Sequence, residues 1–140
     1  MPRVSLWFFA VAPIYVLIGM GFGIFMGATQ DFTLAPAHAH LNLIGWVTMA
    51  LYGTFYALAP EASQRLAWAT FWLNNAGAAL MFPSLAMVLT FGEASPFVAP
   101  LIVSEFLALG GMLCFAFSVW SVLAKSEAPS RVSIRPTAAE

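Results

Sequence analysis

His38 and His40 are the only imidazoles in the chain, and they stand two positions apart inside an apolar stretch. Neutral imidazole is a versatile metal ligand, and an ionisable side chain in a membrane span is costly enough to mark function by default. On a helix, two positions correspond to about 200°, so the two rings point to nearly opposite sides. A single metal bound by both would need a spacing of three or four. Each ring therefore faces its own partner site. If the partner is heme iron, the helix lies between two hemes, and each missing ligand is a histidine from another copy of the chain, a methionine or water. The plainer alternative leaves both rings at the membrane interface, bonded to water or lipid headgroups.

The other chemical candidates are few. Glu105 lies about nine residues into the last apolar stretch, and Asn74 and Asn75 lie at comparable depth in the one before it. All three fall near the middle of a roughly 30 Å hydrocarbon core. A protonated Glu105 bonded to one of these amides would tie two helices together; the sharper reading is a proton-handling carboxyl near a heme. Asn42 shares the face of His38 and could orient a ligand or a neighbouring helix, or equally cap the local network. Trp46, Tyr52 and Tyr56 could pack on a flat macrocycle or simply on one another. Gly19, Gly23 and Gly27 form a stripe that lets another helix approach closely. Pro83 is expected to kink the third helix, and Cys114 is expected to be a small buried apolar residue. One cysteine excludes an internal disulfide and every paired-cysteine metal or heme motif.

Positioning these residues is a membrane problem. The chain is 61% hydrophobic and only 8% charged, far below the roughly 25% a soluble surface needs. A span takes about 20 apolar residues, and four stretches are long enough: 6–28, 36–59, 66–91 and 96–124. Short polar links force neighbours to run antiparallel, giving an all-α, up-down, four-helix transmembrane domain over 1–124. The polar segment 125–140 is expected to be a disordered tail. The first stretch is longer than a signal-peptide core and reads as a retained helix.

Arg3, Arg65, Lys125, Arg131 and Arg135 all fall at the termini or in the second link, whereas the first and third links carry only Asp31 and Glu93. The positive-inside rule then puts both termini in the cytoplasm and the histidine pair at the outer face. A bacterial inner membrane is the expected location. With a net charge of -1, the chain offers no basic surface, and no nucleic-acid partner is expected.

The run from His38 and His40 through Ile44, Gly45, Trp46 and Val47, continuing to Gly53, Tyr56, Leu58 and Pro60, resembles helix ten of the catalytic subunit of heme-copper oxidases, closest to the cbb-type enzymes. The resemblance covers about 25 residues. It implies that His38 holds a high-spin heme and His40 a low-spin heme, with Gly45, Trp46 and Tyr56 among the cofactor-binding positions; Asn42 joins them only by sharing the face of His38. The family's twelve core helices form three four-helix arcs, so this chain is expected to be one arc and three copies to rebuild the ring. That implies a homotrimer holding up to three heme b groups. The family's copper-site histidines are absent, so no copper centre is expected, and no complete oxidase. Outer-side arginines are absent too. Heme propionates would depend on water, Gln30, Thr33 and the N–H groups opening the second helix.

These observations frame the functional expectation. Electron transfer or redox sensing through a six-coordinate heme b leads. A five-coordinate heme enzyme reacting with oxygen or nitric oxide is second. A heme or copper carrier, small transporter or structural subunit of an oxidase complex is third.

Overall fold

The computed structural model of the chain describes residues 1–126; most of the expected tail, 127–140, lies outside the described residues. Four long helices account for nearly all of it: α1 (Arg3–Thr29), α2 (Ala35–Leu58), α3 (Gln64–Phe91) and α4 (Val98–Ser126). With 24 to 29 residues apiece, each is about 36–44 Å long, enough to cross a roughly 30 Å core. The chain is a multi-pass membrane protein by the length and composition of these helices. Many large apolar side chains face outward, among them Leu17, Ile24, Leu51 and Trp72, as lipid-facing positions should.

Local chemistry sets the ends. Gln30 takes the left-handed conformation (φ 55°) that stops α1, and its side-chain amide donates back to the Gly27 carbonyl at 2.6 Å. Pro36 sits in the first turn of α2, where its missing N–H costs nothing. Ser63 caps α3 by accepting the Leu66 N–H at 3.5 Å, and Gly92 (φ 82°) ends it. The helix runs unbroken through Pro83. α4 extends two residues beyond the expected limit, and Lys125 Nζ donates to the Glu61 carbonyl at 3.3 Å.

Among the described residues, the departure from regular helix geometry lies in α2. Its first turn and second half are α-helical, but Leu41–Thr48 is a π-helix beginning directly after His40. Such wide turns are rare and concentrate at functional sites. Two contacts coincide with it. Gly45 lies under the Tyr15 ring so closely that an added Cβ would sit 2.6 Å from it. Asn74 Nδ2 of α3 donates to the Ile44 carbonyl at 3.2 Å, supplying a donor to the altered ladder.

Helices adjacent in sequence make the strongest contacts, above all α3 with α4. The largest buried cluster is aromatic and lies at the end of the molecule that holds the amino terminus. Phe8 stands at its centre, edge-on to Tyr52 and Phe71 (ring centroids 5.8 and 5.2 Å) and stacked on Tyr56 (5.9 Å). Only a small satellite of Tyr15, Leu41 and Ala78 lies toward the histidine end.

Candidate functional site

The first turn of α2 sends its two histidines apart. His38 is half-buried and turns toward α1, where a Cβ added at Gly23 would lie 3.4 Å from the ring. His40 is exposed. Opposed directions expected from the spacing are therefore observed, with the difference that His38 points into its own chain.

Their hydrogen bonds differ as well. His40 Nδ1 lies 2.8 Å from the Pro36 carbonyl one turn back. A carbonyl only accepts, so this contact calls for the proton on Nδ1, and in the neutral ring Nε2 then holds the lone pair, directed away from the helix. That is the tautomer a metal-binding histidine needs, held by the kind of backbone bond that usually fixes it. His38 Nε2 instead lies 3.1 Å from Asn42 Nδ2, which also donates to the His38 carbonyl at 3.1 Å. Asn42 thus bonds back to His38 within its own helix turn, to the carbonyl and along the ring edge.

The opposite end of that amide is uncommon. Asn42 Oδ1 is buried with no hydrogen-bond partner among the described residues. It faces Gly19, where an added Cβ would collide with it. Exchanging the amide's ends would only move the orphan to nitrogen. Gly19 and Gly23 are therefore the two positions of the expected stripe that receive α2; Gly27 has nothing within 4 Å.

Several expected partners are elsewhere. Tyr56 is fully buried at the far end of α2, bonded to Thr70 Oγ1 (3.1 Å) and Ser118 Oγ (2.9 Å), a structural knot remote from the histidines. Tyr52 is likewise core. Gly45 accommodates Tyr15 rather than the histidine site. Trp46 is 41% exposed, and the Cys114 thiol is only half-buried.

Glu105 does not bond Asn74 or Asn75. Asn74 Nδ2 is given to Ile44, the Asn75 side chain and carbonyl accept the Tyr15 hydroxyl, and Glu105 is exposed. Because α4 begins at Val98, Glu105 sits seven residues in, about 10 Å from the helix start rather than at the middle. His40 sits five residues into α2, about 7 Å from its start at the same end of the bundle. Two ionisable side chains are therefore exposed at similar depth.

The residues expected to anchor propionates are also engaged. Gln30 is spent on Gly27, while Thr33 donates through Oγ1 (2.7 Å) and its backbone N–H (2.9 Å) to Asp31 Oδ1. Those bonds hold the exposed Asp31 carboxyl below its ordinary pKa, leaving a fixed negative charge in that loop.

Among the described residues, no three His, Cys, Asp or Glu side chains gather to hold a metal ion. Clefts of about 270, 300 and 280 Å³ are lined by neither histidine. The class that fold and site define is a four-helix multi-pass membrane protein with an outward-facing histidine in its second helix. Compared with protein-family models, with curated proteins and with solved structures, the chain matches none.

The bond from His40 to Pro36, the π-turn and the orphaned Asn42 oxygen were not anticipated from sequence. A proline four residues before a histidine in a helix is a usable signal for the first. The other two depend on contacts with α1 and α3.

Proposed function

We propose that the chain is a membrane heme b protein related to the catalytic subunit of heme-copper oxidases, serving electron transfer or redox sensing. The observation that carries this reading is His40: exposed on the outside of a span, with Nδ1 held by the Pro36 carbonyl, so that Nε2 of the neutral ring is the nitrogen free to ligate. The fit to heme is asymmetric. His40 is placed to ligate iron, whereas His38 must first give up its bond with Asn42 and turn away from α1. When bound, heme supplies a one-electron couple; the chain supplies the axial nitrogen and an apolar surround that sets its potential.

An exposed ligand implies a shared site, held between His40 of one copy and His38 of the next. Glu105 supports an assembly independently, because a carboxyl exposed on a span is costly in lipid until a neighbour covers it. A closed ring of three copies in a bacterial inner membrane, termini in the cytoplasm, meets both needs.

The test is the visible spectrum and heme-to-protein ratio of the detergent-purified chain. A sharp reduced heme b band is expected, resistant to carbon monoxide because both axial positions are filled. His40→Ala should remove most of the heme, and His38→Ala should at least convert the iron to a carbon monoxide-binding form. Heme retained unchanged in both variants would refute the assignment.

A further inference from the structure

Arg3 and Arg65 each open a row of side chains, and the two rows converge at the end of the bundle that holds the amino terminus. On α1, Arg3, Trp7 and Val11 follow one another at intervals of four. On α3, Arg65, Trp68, Trp72 and Asn75 follow at intervals of three and four. Residues so spaced share one face of a helix. The two faces meet, because Trp7 and Val11 line one wall of an apolar cleft of about 270 Å³, and Trp68, Phe71, Trp72 and Asn75 line the other. Each row therefore places an arginine one turn outside the cleft, toward the helix starts. Both arginines are exposed.

The cleft by itself would accept any hydrocarbon. The Asn75 amide is engaged by the Tyr15 hydroxyl, so the walls of indole, phenyl and valine offer an occupant dispersion and nothing polar. The arginines make the choice. Trp7 and Trp68 stand four residues, about 6 Å, from their helix starts, the level at which tryptophan marks the boundary between hydrocarbon and headgroups. Side chains in a first turn lean toward the helix start, which carries both guanidinium groups out to the headgroups. Among the described residues, this end holds Arg3, Arg65 and Lys125 against the single acid Glu61, and Lys125 Nζ is already bonded to the Glu61 carbonyl. Two planar guanidinium groups suit a phosphate, which each can grip with two parallel bonds. An occupant that answers both parts is anionic at its outer end and hydrocarbon below it. A free anion leaves the cleft empty, and a lipid without net charge leaves the arginines in excess.

We propose that this edge of the bundle seats an anionic phospholipid, with its phosphate between Arg3 and Arg65 and one acyl chain laid along the tryptophans. The assignment is independent of the heme reading, since neither histidine lines the cleft.

Quenching of tryptophan fluorescence by lipids with brominated acyl chains tests it on the full chain. The protein is reconstituted in phosphatidylcholine vesicles that carry either brominated phosphatidylglycerol or brominated phosphatidylcholine. Trp46→Phe and Trp120→Phe, made together, confine the signal to the three cleft tryptophans. The anionic lipid should quench at about tenfold lower mole fraction. Arg3→Gln and Arg65→Gln should each reduce that preference about threefold to fivefold, the scale of one basic side chain at a charged membrane surface. Lys125→Gln should leave it nearly unchanged. All three basic side chains are exposed, so the variants should keep the helix content and Tm of the parent. Mass spectrometry of the lipid that the unaltered chain retains through detergent purification is a second readout: phosphatidylglycerol should be enriched over its share of the source membrane. The proposal is overturned if the two brominated lipids quench alike, or if the retained lipid merely matches the source. It is also overturned if all three charge variants lower the preference equally, which would mean diffuse attraction to a basic end. Loss of the preference on adding inorganic phosphate at matched ionic strength would overturn it too, making the arginines a site for a free anion.

Discussion

The two helix pairs of this molecule solve close packing in opposite ways. In α3 against α4, a seam of mostly small residues meets small residues. Ala67, Thr70, Asn74, Gly77, Met81 and Ser84 of α3 are buried at alternating spacings of three and four, facing Ser104, Gly111 and Ser118. A Cβ added at Gly77 would lie 2.9 Å from the Ala108 backbone nitrogen and 3.1 Å from the Ser104 carbonyl oxygen. In α1 against α2, four glycines each receive a large side chain from the partner helix: Gly53 takes Phe8, Gly45 takes Tyr15, Gly19 takes Asn42 and Gly23 takes His38. Both pairs use glycine, but the first excludes everything between two backbones, while the second makes room for polar side chains at a fixed place. Without a hydrophobic drive between helices in lipid, close contact and hydrogen bonding are what hold them. The first pair is therefore scaffold, and the second is where chemistry can be housed.

The contrast can be broken most severely at Gly77. Its near neighbours are backbone atoms that cannot rotate away, so Gly77→Leu must separate the two helices. Overpacking of this kind costs about 1–3 kcal/mol where some relaxation is possible, and here the loss should be at the upper end or prevent folding. Thermal unfolding of the purified protein, or its failure to accumulate, reads the effect. A Tm unchanged within error would mean that the backbones are not in contact.

Gly19 should respond less, and differently. An added methyl there meets the end of the Asn42 side chain, which can turn. Gly19→Ala is expected to cost about 1 kcal/mol, by the same overpacking argument, and to loosen the Asn42 hold on His38. Because one side chain carries the clash, the loss should be recovered largely by adding Asn42→Ala. A coupling of about 0.5–1 kcal/mol in a double-mutant cycle would show it; simple additivity would mean that Gly19 and Asn42 do not share a site.

The parts of this architecture legible in sequence were those governed by composition and by period. Four spans emerged within three residues of their observed limits, because apolar runs and short polar links leave little choice. The opposed histidines followed from a spacing of two on an α-helical turn, and that turn is indeed α-helical. What the sequence did not disclose depends on inter-helix contacts. Glu105 was expected to meet an amide of α3, but Asn74 is claimed by the Ile44 carbonyl within the π-turn, and nothing in the residue order signals that turn. Tyr56 was grouped with the histidines by motif, yet it lies on the core face with Thr70 and Ser118. A hydrophobic run states that a helix crosses the membrane, and a nearly uniform run says little about which side faces which neighbour.

Gly27 sharpens the comparison at its weak end. It continues the spacing of Gly19 and Gly23, so sequence alone would assign all three the same role. No atom comes within 4 Å of a Cβ added there, while its carbonyl accepts the Gln30 amide and so stays bonded whatever the side chain. Gly27 also lies inside a regular helix, with no positive φ to protect. Alanine is then compatible with the native backbone, and it lowers the entropy of the unfolded chain. Gly27→Ala should raise stability by about 0.4–1 kcal/mol, opposite in sign to Gly19→Ala although both change the same stripe by one methyl. Thermal unfolding of the two variants side by side measures the difference. If Gly27→Ala were as damaging as Gly19→Ala, a neighbouring chain would have to occupy the space beside Gly27, and the end of α1 would belong to an assembly contact.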